Sequence, residues 1–240
     1  MSEWAARRFW KETMVAQRDG GFAILLDGRP VRTPAKRPLL LPTPALADSI
    51  AAEWDAQAAT VDPLTMPVTR AANAALDKME VARDDTIAGI AAYGASDLLC
   101  HRAETPEMLV RRQRQAWDPL LDWAADTFGA RLHPVAGVMP ANQPQAALDR
   151  LTAEVGGFSN FGLTALAELV SISGSLVIGL AVAHRRLTPD TAWALSRIDE
   201  DWQQENWGAD DEASAHAALR NEALVNAHRF LRLCGAAARH

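Results

Sequence analysis

"DGGFAILLDGRPVRT", Asp19 to Thr33, decides the fold. Two Asp-Gly pairs flank a short apolar run, and an Asp-Gly pair supplies the positive backbone φ that a tight hairpin turn needs. Two such turns in succession predict a meander of at least three strands. "FWKETMVAQ" leads into the first turn, "RPVRT" leaves the second, and "PAKRPLLLP" adds a further strand between prolines. A sheet this small cannot bury both of its faces, so another element has to cover it.

From Thr43 onward the period changes to that of helices. Thr43-Pro44, Thr105-Pro106 and Thr188-Pro189 each precede a helix-period run. Threonine caps free N–H groups there, and proline suits the first helical position, where its missing donor is not needed. "PALADSIAAEWDAQ" puts Leu46, Ile50 and Trp54 on one face, and this is the covering helix. "PEMLVRRQRQAW" presents Leu109 and Gln113 beside Arg111, Arg112 and Arg114, and "DPLLDWAADTF" continues it to a cap at Gly129. "PDTAWALSRIDEDWQQENW" reads as one helix ending at Gly208. Further helices are expected at about 68–80, 82–93, 144–155 and 214–234, and an extended connection at 132–144. The expected class is α+β: a β-rich unit over residues 1–62 with its covering helix, then a helical domain over 63–240.

The 240 residues carry a formal charge of −6, and their Lys and Arg form no long basic block, which disfavours nucleic-acid binding. Cys100 and Cys234 lie far apart without CxxC or Cys/His spacing, against a disulfide framework or a zinc site. The N-terminus reaches charged residues before any apolar run, so no secretory signal is expected. Leu163 to His184 is the most apolar stretch, but Glu168 and three serines interrupt it. A membrane span needs roughly 20 mostly apolar residues, so one buried helix is the expectation.

"RIDEDWQQENWGADDEASAH", Arg197 to His216, holds seven acidic side chains, one arginine and two tryptophans. On a single helix from Pro189, Asp201 and Glu205 would share a face and repel by roughly 0.2–0.5 kcal/mol. They would also sit towards its C-terminal end, where the macrodipole disfavours anions. A solvated acidic face and a partner surface both remain open. A metal site is disfavoured, because Asp199-x-Asp201 lacks the turn glycine and distal glutamate of a calcium loop and no HExxH accompanies it. There is no GxGxxG, phosphate-binding loop or GxSxG elbow, and Cys100-His101 lacks an orienting third group. The residues read against catalysis and for a binding surface, with no cofactor.

Three blocks then carry a resemblance: "GGFAILLDGRPVRTPAKRPLLLPTPALADSIAAEWDAQ", "DLLCHRAETPEMLVRRQRQAWDPLLDWA" and "LSRIDEDWQQENWG". In this order and spacing, from about Phe9 to about Leu233, they resemble the ATP synthase F1 assembly chaperones of the alpha-subunit type. The resemblance implies a non-enzymatic protein that binds the unassembled F1 alpha subunit until beta replaces it. It places the partner-binding carboxylates in the C-terminal helical block, where the candidates are Glu200, Asp201, Glu205, Asp210, Asp211 and Glu212. Trp54, Trp117, Trp202, Trp207 and Gly208 are signature or structural positions, with Trp54 read as packing that joins the first helix to the β unit. The family's His-Asp pair is replaced here by Ser214-Ala215-His216. No Arg- and Ser-rich import presequence is seen, which points to a member of the bacterial cytoplasm or to a mature mitochondrial form, the bacterial reading being preferred; a monomer is expected. The rival readings are a small-molecule enzyme using paired carboxylates as acid and base, and a subunit retained in the finished complex.

Overall fold

The computed structural model describes residues 7–137 and 142–240. Its strands are β1 (Thr13–Arg18), β2 (Gly21–Leu26), β3 (Arg29–Pro30), β4 (Leu40–Leu41), β5 (His101–Arg102) and β6 (Val135–Ala136). The helices up to the middle of the chain are α1 (Pro44–Asp55), α2 (Pro67–Asp77), α3 (Met79–Ala92), α4 (Glu107–Phe128) and α5 (Gln145–Gly156). They are followed by α6 (Asn160–Ser173), α7 (Leu176–Ala183), α8 (Pro189–Ser196), α9 (Ile198–Trp207) and α10 (Asp211–Cys234). The class is α+β, a small antiparallel sheet near the N-terminus followed by a mostly helical region.

The chain divides into two compact units, one of Met1–Arg83, Phe158–Ala165 and Arg229–His240, the other of Asp84–Gly157 and Leu166–His228. Residues 138–141 of the expected extended connection lie outside the described residues.

In the first unit the meander forms as the Asp-Gly turns require. β1 pairs antiparallel with β2 and β2 with β3, while β4 adds to β2 through Phe22↔Leu41 and Ala23↔Leu40. Asp27 (φ 47) and Gly28 (φ 78) both take positive φ in the second turn. The Asp27 carboxylate accepts the N–H groups of Lys11 and Glu12 at 3.0 and 2.9 Å, and these bonds hold its pKa below the usual value. α1 covers the sheet: Leu46 and Ile50 are fully buried with Ile24 and Leu41. Trp54 is half-buried and meets Trp10 edge-on at 5.2 Å, which ties α1 to the segment entering β1. Thr43 caps α1 by accepting the Leu46 N–H at 3.1 Å.

Glu53 on α1 serves as the cap of α2. Its carboxylate accepts the N–H groups of Val68 and Thr69, both at 2.8 Å, and the Thr69 hydroxyl at 2.6 Å. Met66, the residue at the cap position, offers no side-chain bond. Glu53→Ala is therefore expected to destabilise the protein by about 1–2 kcal/mol, the usual cost of a lost cap. Urea denaturation measures this, and an unchanged midpoint would contradict it.

The apolar stretch, which lies in the second unit from Leu166 onward, forms two helices where one was expected. Gly174 takes φ 69, a left-handed conformation that ends α6, and Ser175 restarts the chain by accepting the Ile178 N–H at 3.0 Å. Asp97, fully buried, completes this junction: it accepts the Ser175 hydroxyl at 2.7 Å and the N–H groups of Val177 and Leu99 at 3.0 Å each. Burial raises its pKa, and these hydrogen bonds oppose the rise. Within α7, Leu176 to Val182 are buried throughout. No helix among the described residues is long and apolar enough to cross a membrane.

α4 runs through Pro119 without a break and ends at Gly129 (φ 66), as the sequence predicted. Its start differs from expectation. Pro106, not Thr105, occupies the cap position, and no side chain caps the helix there. β5 and β6 form a two-residue parallel ladder that no sequence alternation marked.

Candidate functional site

The acidic stretch is organised by a break that the periodicity did not show. Thr188 caps α8 by accepting the Thr191 N–H at 3.2 Å. The helix then stops at Arg197 (φ −119, ψ 14), and α9 begins at Ile198. The single helix expected over 189–207 is therefore two. For Asp201 this reverses the expected electrostatics, because Asp199, Glu200 and Asp201 lie in the first turn of α9, whereas Glu205 stays near the C-terminal end. An anion in the first turn is favoured by about 0.3–1 kcal/mol.

The same holds after Gly208, which ends α9 with its N–H donated to the Gln204 carbonyl at 3.0 Å. Asp210 caps α10 by accepting the Ala213 N–H at 2.7 Å, and Asp211 and Glu212 occupy its first turn. Local helix electrostatics thus accommodates most of the carboxylates without any partner.

Three of the acidic groups also have internal partners. Glu205 accepts two bonds from Arg112 Nη1 on α4, at 2.8 and 2.9 Å. Asp201 pairs with Arg197 at 3.4 Å. Asp199 accepts from Gln113 Nε2 at 2.6 Å, and Gln113, buried on α4, accepts the Ala103 N–H at 2.9 Å. Arg112 and Gln113 were legible as polar residues on a helix, but not as partners of residues some 90 positions later. Glu200, Asp211 and Glu212 are exposed and make no side-chain hydrogen bond or ion pair among the described residues.

The tryptophans divide by exposure. Trp117 is fully buried, and its indole N–H donates to the Leu195 carbonyl at 2.9 Å, which joins α4 to α8. The Arg102 guanidinium lies over its ring at 5.3 Å and pairs with Asp118 at 2.7 Å. Trp202 is half-buried. Trp207, the last residue of α9, is 78% exposed. A cleft of about 380 Å³ between α9 and α10 is lined by Glu200, Gln203, Trp207, Asp210, His216 and Arg220. Another, of about 460 Å³ on the α4 side of α9, includes Glu104, Leu109, Asp199, Trp202 and Trp207.

The arrangement offers little to acid/base or nucleophilic chemistry. Glu200 and Asp210 lie exposed on an open cleft, and the carboxyl group that burial perturbs, Asp97, is committed to the α6–α7 junction. Among the described residues, no group of three or more His, Cys, Asp and Glu could hold a metal ion. Burial pushes the Cys100 thiol up to about 12, helped by the nearby Asp97 carboxylate, and burial alone does the same for Cys234. Both stay protonated near neutral pH, and a thiol is a poor nucleophile. The native protein is expected to resist a thiol-specific chromophoric reagent at pH 8 and to release two equivalents once denatured. Rapid native labelling would contradict the assigned burial.

Comparison with known proteins gives a consistent set of similarities. The family profile described as ATP12 chaperone protein matches residues 7–125. The crystal structure of Atp12 from Paracoccus denitrificans is 50% identical, with a TM-score of 0.93, covering 96% of this chain and 99% of that one. An aspartate-to-lysine mutant of P. denitrificans Atp12p is equally similar, with a TM-score of 0.94 over 97% and 99% of the two chains. The protein named atp12, mitochondrial, from Schizosaccharomyces pombe is 26% identical over 232 residues, 92% of this chain and 79% of the relative.

Proposed function

Because the chain belongs to the ATP12 chaperone family, we propose that it is a non-enzymatic assembly chaperone that binds the unassembled F1-ATPase alpha subunit. It prevents aggregation of that subunit until beta takes its place. The carrying observation is the surface around the α9–α10 junction, where Glu200 shares a cleft with an exposed Trp207 and Asp211 and Glu212 stand exposed and unpaired at the start of α10. Unassembled subunits expose apolar interface that aggregates unless it is covered. A cover that must later leave is better made through complementary charge than through a second permanent apolar contact, because charge favours fast, selective and salt-sensitive association.

The internal pairs narrow the candidates. Asp201 and Glu205 already hold arginines and Asp210 caps α10. Client contact then falls to Glu200, Asp211 and Glu212, with Asp201, Glu205 and Asp210 shaping the surface. The protein acts as a monomer, and the 50% identity to the Paracoccus denitrificans protein favours a bacterial cytoplasm as its setting. Size-exclusion chromatography of the chain with purified alpha subunit tests the reading. A 1:1 complex that dissociates when beta is added is expected; two separate peaks at micromolar concentrations would overturn it.

A further inference from the structure

Trp207 is the large apolar side chain that the acidic surface leaves uncovered, and its surroundings specify what covers it. From Ile198 to Glu212 the chain carries seven carboxylates and no Lys or Arg. α9 has no basic residue in its last turn, so the negative end of its dipole at Trp207 is unneutralised by its own side chains. The two clefts flanking α9 both open onto Trp207, one carrying Glu200 and Asp210 and the other Glu104 and Asp199; the arginines that share them, Arg197 and Arg220 in the first and Arg102 in the second, are held by Asp201, the Ile172 carbonyl and Asp118.

Two other tryptophans of the same unit carry a guanidinium, while Trp123 meets Phe128 and His184 edge-on. The guanidinium of Arg102 lies over Trp117 at 5.3 Å, and that of Arg197 over Trp193 at 5.1 Å. A tryptophan face attracts a guanidinium electrostatically, more so where carboxylates surround the pair. Among the described residues, no cation lies over Trp207.

Resting on the chaperone reading above, we infer that Trp207 anchors the complex by stacking against an arginine of the alpha subunit. That arginine belongs to a segment that crosses the end of α9 and reaches Glu200 in one cleft and Glu104 in the other. The contact has the form of an interface hot spot, an aromatic anchor around which weaker polar contacts are arranged. It also explains why the carboxylates alone need not hold the partner tightly: screening by salt weakens exposed charge pairs, whereas a stacked and desolvated guanidinium is less affected.

The test is the affinity of purified F1 alpha subunit for four forms of the full chain: wild type, Trp207→Ala, Trp207→Leu and Trp207→Phe. At 78% exposure the side chain contributes little to folding, so all four should unfold at closely similar temperatures. Trp207→Ala is expected to weaken binding at least tenfold, on the order of a hot-spot truncation. Trp207→Phe, which keeps a π-face, should stay within about fivefold of wild type, and Trp207→Leu should resemble alanine. Alanine binding as tightly as tryptophan would overturn the anchor. Leucine matching wild type would overturn the cationic occupant in favour of an apolar one. Failure of the wild type to bind alpha would instead overturn the chaperone reading, and the inference with it.

Discussion

Trp117→Ala is expected to lower the unfolding free energy by about 3–5 kcal/mol, the range for truncating a fully buried aromatic side chain. The indole fills a site with no exposure, its N–H satisfies the Leu195 carbonyl, and its face carries the buried Arg102. Alanine removes the packing, leaves that carbonyl without its donor and deprives Arg102 of its stacking partner. Trp117→Phe separates the terms, since it keeps most of the volume and loses the hydrogen bond; about 1–3 kcal/mol is expected. The effect reaches the candidate surface, because α8 leads directly into α9. Urea unfolding measures both variants, and a loss below about 1 kcal/mol for alanine would show that the α4–α8 contact matters less than its geometry implies.

Reversing Glu200 and Asp211 together, Glu200→Lys with Asp211→Lys, is expected to weaken alpha binding by about 10- to 100-fold. Neither carboxylate has an internal partner to lose, so the loss reports on the client. Each reversal does place a cation at a helix N-terminus, costing about 0.3–1 kcal/mol, and a modest fall in stability should accompany it. The neutral pair Glu200→Gln with Asp211→Asn should fall between wild type and the reversed protein. Raising salt should erode wild-type binding more than that of the neutral pair. Isothermal titration settles the matter, and equal affinities across the three proteins would remove these residues from the site.

The β unit was readable because its turns demand particular backbone angles. Asp27-Gly28 needs positive φ at two successive residues, and few other sequences supply that. α1 and α8 were readable from a capping threonine followed by proline. The break at Arg197 was not, because neither glycine nor proline marks it and the apolar spacing continues through it. At Gly174-Ser175 a breaker and a cap were both present, yet the apolar run on either side read as continuous.

For the site, the clustering of carboxylates was visible and their circumstances were not. Whether Glu205 or Asp199 is free depends on which residues α4 turns towards α9, and that is set by packing across about 90 positions of sequence. The local cost expected for the cluster applies to Glu205 near the end of α9 but not to most of the other carboxylates. With α9 and α10 starting where they do, Asp199 to Asp201 and Asp210 to Glu212 sit at favourable helix ends. What still favours a partner is narrower: three unpaired carboxylates at the starts of α9 and α10, and an uncovered tryptophan between the two helices.

Light scattering from isolated F1 alpha subunit, diluted from denaturant with and without this protein, tests the central claim most directly. Suppressed scattering near 1:1 stoichiometry is predicted, with an alpha–beta product and free chaperone appearing once beta is added. Unchanged scattering, with the same alpha preparation shown to assemble with beta, would contradict the account.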